Sequence, residues 1–214
     1  MTAGSPKCFT VDRQNPDPEI IQKAAEIIQC GGIVILPTDT AYGLAGNPAD
    51  PIVVNRIITI KERLGKAGMP VLAADISQVR VVAELEGLAY DLAMAFWPGA
   101  LTLILPALRT LSEGVQGPNS TLALRVPDHP VALHIIYDVG FVVTGTSANK
   151  SGEPSPHTAN AAYSQVGEQV DLVLDAGPTQ HCSASTIVDC TVEPPRLVRS
   201  GAVSEKALQP WFSK

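Results

Sequence analysis

The residues of this chain that could do chemistry are hydroxyls, amides and a few cations, gathered in short polar loops. Pro37-Thr38-Asp39-Thr40-Ala41-Tyr42-Gly43-Leu44, Thr144-Gly145-Thr146-Ser147-Ala148-Asn149, Ser183-Ala184-Ser185-Thr186 and Arg199-Ser200-Gly201 each follow a short apolar run. Lys61, Arg63 and Arg125 can bring positive charge to the same rim. Hydroxyls, backbone N–H groups and cations together make a receptor for a polyphosphate without a P-loop. The standard phosphate signatures, G-x-x-x-x-G-K-[ST] and G-x-G-x-x-G after a strand, do not occur. His129, His134, His157 and His181 form no H-E-x-x-H and no evident triad. Cys8, Cys30, Cys182 and Cys190 contain no C-x-x-C pair, so no zinc site is expected.

These loops need strands and helices to hold them. Pro18 opens an amphipathic stretch with Ile20, Ala24, Ile27 and Ile28 on one face, and Gly31-Gly32 closes it as a helix. Ile33–Leu36 is wholly apolar, as a strand buried on both faces would be. A helix is expected from Pro51 to Arg63, a strand over Val71–Ala74, helices over Ser77–Glu84 and Leu88–Phe96, and a strand over Leu101–Leu105. Thr121–Val126 alternates, with Leu122, Leu124 and Val126 on one face and Thr121, Ala123 and Arg125 on the other. Helices over Pro130–Asp138, Thr158–Val166 and from about Ser204, and strands over Phe141–Val143, Val170–Leu174, Thr186–Val188 and Leu197–Val198, complete the chain. Strands alternating with helices predict one α/β domain, residues 1–214, built on a twisted open mixed sheet flanked by helices, with a ligand cleft at the strand ends.

Composition narrows the partners. Of 214 residues, 45% are hydrophobic and 17% charged, which excludes wholesale disorder. The net charge of −6 argues against holding nucleic acid by bulk electrostatics, so any RNA contact is expected to be weak or indirect. The apolar runs are too short to span a bilayer and Met1–Pro18 carries no secretory core, so a cytoplasmic protein with no membrane role is expected.

Taken in order, the motifs resemble a known family. PTDTAYGL at Pro37–Leu44, Lys61-x-Arg63, WPGALTL at Trp97–Leu103, LRVP at Leu124–Pro127 with His129-Pro130, SANKSG at Ser147–Gly152 with Ser155-Pro156, STIVD at Ser185–Asp189 and LVRSG at Leu197–Gly201 are similar to the YrdC-like family, the threonylcarbamoyl-AMP synthases. The similarity runs from about residue 17 to 208. It implies the YrdC-like fold and a nucleotidyltransferase that joins L-threonine, bicarbonate and ATP, with Mg²⁺ carried by the ATP, into L-threonylcarbamoyladenylate and pyrophosphate. A downstream threonylcarbamoyl transferase complex would then modify tRNA beside the anticodon. The resemblance places Lys61, Arg63, Thr121, Ser147, Asn149, Ser155 and Arg199 on ATP. It places Thr38, Arg125, Gly145 and Ser185 on L-threonine, Tyr42 in the pocket wall, and no protein group on the metal. Lys61 and Arg63 are the candidates for a catalytic role. Leu64–Met69 is longer than the family's usual spacing and could carry Lys66 over the phosphates. Two other functions fit such a chain: a carbamoyl transferase handling carbamoyladenylate, and a non-enzymatic RNA-binding module.

Overall fold

A computed structural model describes residues 7–62, 68–181 and 183–212. The helices begin where the sequence supplies caps. In α1 (Pro18–Gln29) Asp17 accepts from the Glu19 N–H, and Gly31 takes a positive φ of 82° just beyond its end. In α2 (Pro51–Ile60) the Asp50 carboxylate accepts from Ile52 and Val53 N–H. Asp75 caps α3 (Ile76–Val82) and Thr158 caps α6 (Ala159–Val166). The remaining helices are α4 (Gly87–Phe96), α5 (Pro130–Val139) and α7 (Glu205–Phe212). α2 stops sooner than the sequence suggested. Lys61 is its C-cap and Glu62 turns to a φ of 51°, because the Lys61 side chain is drawn away into the neighbouring loop.

The strands divide between two sheets. One has the order β1 (Lys7–Thr10), β9 (Leu172–Asp175), β2 (Val34–Leu36), β3 (Gly43–Ala45), β8 (Thr146–Ser147). The other runs β11 (Arg196–Arg199), β10 (Thr186–Asp189), β5 (Leu101–Pro106), β6 (Thr121–Arg125), β4 (Val71–Leu72), β7 (Val143–Thr144). Both are mixed: β1, β9 and β2 run parallel, while β2–β3 and β3–β8 are antiparallel. In the second sheet β10–β5 and β6–β4 are parallel and β5–β6 antiparallel. The mixed α/β class and its flanking helices are therefore as the sequence indicated. β1, β3 and β8 are additions to it.

β2 is buried on both faces and serves two cores by simple alternation. Ile33 and Ile35 join the larger core with Ile57 of α2, Leu92 of α4 and Leu101, Leu103 and Leu105 of β5. Val34 and Leu36 join a second core with Ile21 and Ile28 of α1 and Ile135 and Ile136 of α5. β9 divides likewise, Val173 to the first core and Leu172 and Leu174 to the second.

The chain passes from one sheet to the other at Gly145, the single residue between β7 and β8. Thr144 stitches the crossing: its hydroxyl donates to Leu44 O (2.9 Å) and accepts from Gly46 N–H (2.9 Å). Gly145 donates to Pro70 O at 2.7 Å. A Cβ at Gly145 would stand 2.5 Å from Leu72 Cγ, so no larger residue fits between the sheets without displacing β4.

Candidate functional site

A cavity of about 470 Å³ opens where the sheets meet. Thr38 and Thr40–Gly43 after β2, Leu72 of β4, Arg125 at the end of β6, Gly145–Ser147 and Arg199 of β11 line it at carboxyl ends of strands. Because the second sheet is mixed, β5 and β10 meet the same cavity at their amino ends, through Thr102, Ser185 and Ile187. Thr38, Tyr42, Lys61, Arg125, Gly145, Ser147, Asn149, Ser155, Ser185 and Arg199, all singled out from sequence, lie in this one wall. Thr121 sits at the other end of β6, outside the wall, with its hydroxyl donated to Pro118 O at 3.0 Å. Arg63 and Lys66, with Leu64–Ala67 of the longer segment, lie outside the described residues.

The cations are held, each in a different way. Lys61, 5% exposed, donates from Nζ to Ser147 O (2.6 Å), Asn149 O (2.8 Å) and Asn149 Oδ1 (3.3 Å). It thereby sets the shape of the Ser147–Asn149 loop, while its charge stays at the cavity wall. Asn149 closes the same loop by donating from Nδ2 to Glu153 O at 2.6 Å. The hydroxyls of Ser147 and Ser155 make no hydrogen bond with the described protein and remain available to a ligand. Arg199 donates from Nε and Nη2 to Ser185 O (3.0 and 2.8 Å) and from Nη2 to Ser185 Oγ (3.0 Å). Ser185 Oγ is 2.8 Å from Thr102 Oγ1, so a buried hydroxyl pair continues from Arg199 into β5.

Arg125, 6% exposed, donates from Nε to Gly99 O (2.8 Å), from Nη1 to Thr40 Oγ1 (2.7 Å) and from Nη2 to Asp39 Oδ1. Burial pulls its pKa down, Asp39 pulls it back up, and the neighbouring Arg199 lowers it again. Burial lowers the pKa of Arg199 too. An anion entering between the two guanidiniums relieves both effects. Among the described wall residues there is no carboxylate to do so.

Tyr42 is a fully buried part of this wall. Its hydroxyl donates to Gly177 O (2.6 Å) and accepts from Ala176 N–H (3.2 Å), tying the Thr38–Tyr42 loop to the end of β9. Thr38 turns its hydroxyl into its own loop, donating to Ala41 O at 2.6 Å and accepting from Ala41 N–H at 3.1 Å. The residues not singled out from sequence are Asp39, Thr40 and Thr102. All three lay inside quoted motifs, but as buried partners, Asp39 and Thr40 of Arg125 and Thr102 of Ser185, they carry no periodic or compositional signal of their own.

These features define a mixed α/β domain whose two sheets enclose a cationic, hydroxyl-rich receptor for anionic ligands. The family model described as "Telomere recombination", the Sua5/YciO/YrdC domain, matches residues 26–201, and the chain belongs to that family. It is 36% identical over 189 residues to a putative threonylcarbamoyl-AMP synthase of Mycobacterium tuberculosis, covering 88% of this chain and 87% of the relative. It is 37% identical over 198 residues to threonylcarbamoyl-AMP synthase of Bacillus subtilis, covering 90% of this chain and 56% of that protein. The crystal structure of Pyrococcus abyssi Sua5 complexed with L-threonine superposes with a TM-score of 0.91 at 32% identity, over 96% of this chain and 60% of that one. The chain thus spans little more than half the length of the last two.

Proposed function

We propose that this chain condenses L-threonine, bicarbonate and ATP to L-threonylcarbamoyladenylate, releasing pyrophosphate. The observation that carries the reading is the single cavity in which Lys61, Arg125 and Arg199 converge with no opposing carboxylate among the described wall residues. The naming of its relatives and the threonine complex of the Pyrococcus abyssi structure support the same reaction.

On this reading Arg125 receives the threonine carboxylate. Its two N–H bonds not engaged by Gly99, Thr40 and Asp39 suit a bidentate contact. Thr38, Gly145 and Ser185 surround the amino acid, and Tyr42 backs the wall. Ser147 and Ser155 donate to the ATP phosphates, Arg199 faces the nucleotide, and Lys61 lends its charge and, with Asn149, the loop geometry. Thr121, at the other end of β6 and outside the cavity wall, is left without a contact to ATP on this reading. Arg63 joins the phosphate site by its place in the family motif.

Bicarbonate gives carbon dioxide with loss of hydroxide, and threonine's neutral amine takes it up as a carbamate with loss of a proton, so that one water is released; the carbamate oxygen then attacks the α-phosphorus while pyrophosphate leaves. That step asks for alignment, neutralisation of charge and exclusion of water more than for a protein nucleophile. Accordingly we assign no triad and no general base. The described wall offers hydroxyls and cations, a donor set that suits Mg²⁺ brought in by the ATP phosphates, whose charge it would offset. The product would pass to a downstream transferase that modifies tRNA. The −6 net charge suits an enzyme that need not grip the RNA itself. We place the reaction in the cytoplasm on the ground of the tRNA it would serve; separately, no helix among the described residues is long and apolar enough to cross a membrane.

The test is pyrophosphate release with ATP, Mg²⁺ and bicarbonate, with and without L-threonine, and with serine as control. Release that requires both threonine and bicarbonate is expected. Folded protein without threonine-dependent release would instead favour carbamoyladenylate chemistry or RNA binding.

A further inference from the structure

We infer that Asp39 is a positioning residue that acts through Arg125, fixing the guanidinium so that its free edge meets the substrate carboxylate. The inference rests on the reading of Arg125 given above. Asp39 is completely buried, behind Arg125 rather than in the cavity wall. Its Oδ1 accepts from Arg125 Nη2 and from the Asp128 N–H (3.1 Å), just ahead of α5. Its backbone carbonyl accepts from His181 N–H at 2.8 Å. One residue therefore joins the loop after β2, the end of β6, the start of α5 and the segment leading to Ser185.

Folding alone gives poor grounds for a carboxylate here. Asp39 Oδ2 has no hydrogen-bond partner, and neither does the buried Nδ1 of neighbouring His129. A buried charge with an unsatisfied oxygen costs stability that an apolar side chain would not. What the carboxylate does supply is orientation. Gly99 O takes Nε, Thr40 takes one Nη1 hydrogen and Asp39 one Nη2 hydrogen, which locks all three corners of the guanidinium plane. The pair also offsets one of the three cavity cations, so that Arg125 does not swing toward the phosphates.

The opposed demands on Arg125 give a distinctive signature. Asp39→Asn keeps the shape and removes the charge. It is expected to raise the KM for L-threonine about 10- to 100-fold while the KM for ATP stays level or falls. In an Arg125→Ala background the same substitution should change the threonine KM less than about threefold. A general loosening of the fold would raise both KM values together, and that result overturns the inference, as does a threonine KM within about threefold of the unsubstituted protein. Should Asp39→Asn not fold, the arginine Nε–H resonances of substrate-free protein decide the matter, with Arg125 assigned from its loss in Arg125→Lys. A slowly exchanging Arg125 signal is expected, and a rapidly exchanging, averaged one refutes the locked guanidinium. Because that signal needs no turnover, it stands apart from the threonine-dependent reaction, whose absence would sink the proposed function instead.

Discussion

Replacing Lys61 by methionine removes one charge and unties one loop, and the structure allows both effects to be sized. The ammonium makes two short hydrogen bonds, to Ser147 O at 2.6 Å and Asn149 O at 2.8 Å, and a longer one to Asn149 Oδ1 at 3.3 Å. Charge-assisted bonds to buried carbonyls contribute about 1.5 to 3 kcal/mol each. Two of them lost, with partial relaxation of the loop toward the open cavity, give about 2 to 4 kcal/mol. For a domain of this size that is a fall in melting temperature of roughly 5 to 15 °C. The missing charge acts on catalysis separately. At about 4 Å from a phosphate and an effective dielectric near 20, a unit charge is worth about 4 kcal/mol, or roughly a thousandfold in rate. Lys61→Met is therefore expected to lose melting temperature and to lower kcat/KM for pyrophosphate release by about 10³. The two readouts separate the roles. A variant that melts like the original protein and keeps kcat/KM within about tenfold refutes both the clamp and the charge. A lower melting temperature with intact kcat/KM refutes the charge alone.

Three further substitutions follow from single contacts. In Gly201→Ala the new Cβ would stand 2.6 Å from the Ser185 carbonyl carbon, against backbone that cannot yield; loss of about 1 to 3 kcal/mol of stability and at least a tenfold fall in kcat/KM are expected, checked by melting and steady-state kinetics. Burial pushes the Tyr42 phenol well above its ordinary pKa and keeps it a donor, so Tyr42→Phe should cost about 1 to 2 kcal/mol in thermal unfolding while kcat stays within about threefold. Burial, with Arg13 nearby and Asp39 opposing, pushes the His129 pKa down to about 4. Its neutral form stabilises the fold above the ordinary histidine pKa of about 6.5, and that contribution is lost as pH falls from there through about 4. Melting temperature over this range should decline more steeply in the original protein than in His129→Gln; equal slopes would exclude His129 as a source of acid sensitivity.

How much of this was legible in the sequence depends on which physical signal each part emits. Helix starts were legible because proline is suited to the first helical turn, as at Pro18 and Pro51, while the aspartate caps just before them came from the structure. β2 and β6 were legible because burial on two faces, or alternation on one, marks the side chains directly. β3 and β8 were not, because Gly43–Ala45 and Thr146–Ser147 are hydroxyl- and glycine-flanked pieces of three and two residues. Each is a strand only because a partner from another part of the chain lies beside it. The division into two sheets has the same origin: it turns on Gly145 and on the Thr144 hydroxyl bonds to Leu44 and Gly46, which are tertiary facts.

Arg125 carries the lesson for the site. Alternation on β6 put it on the polar face, where an arginine would ordinarily meet solvent; its charge suited the polar rim, and the motif order marked it as functional. In the structure it is buried at 6% exposure, and what permits that burial is Asp39, a residue 86 positions away. Sequence patterns report on the environment of one side chain averaged over its own element. A buried ion pair between a loop and a strand end leaves no trace in either element's periodicity. The residues that line the cavity could thus be collected from loop composition and motif order, while those that aim them needed the fold. An arginine substitution alone measures what a contact is worth. Pairing it with Asp39 measures how much of that worth comes from orientation, and in the reaction we propose, to which we assign no protein nucleophile, orientation is the larger part of what the chain contributes.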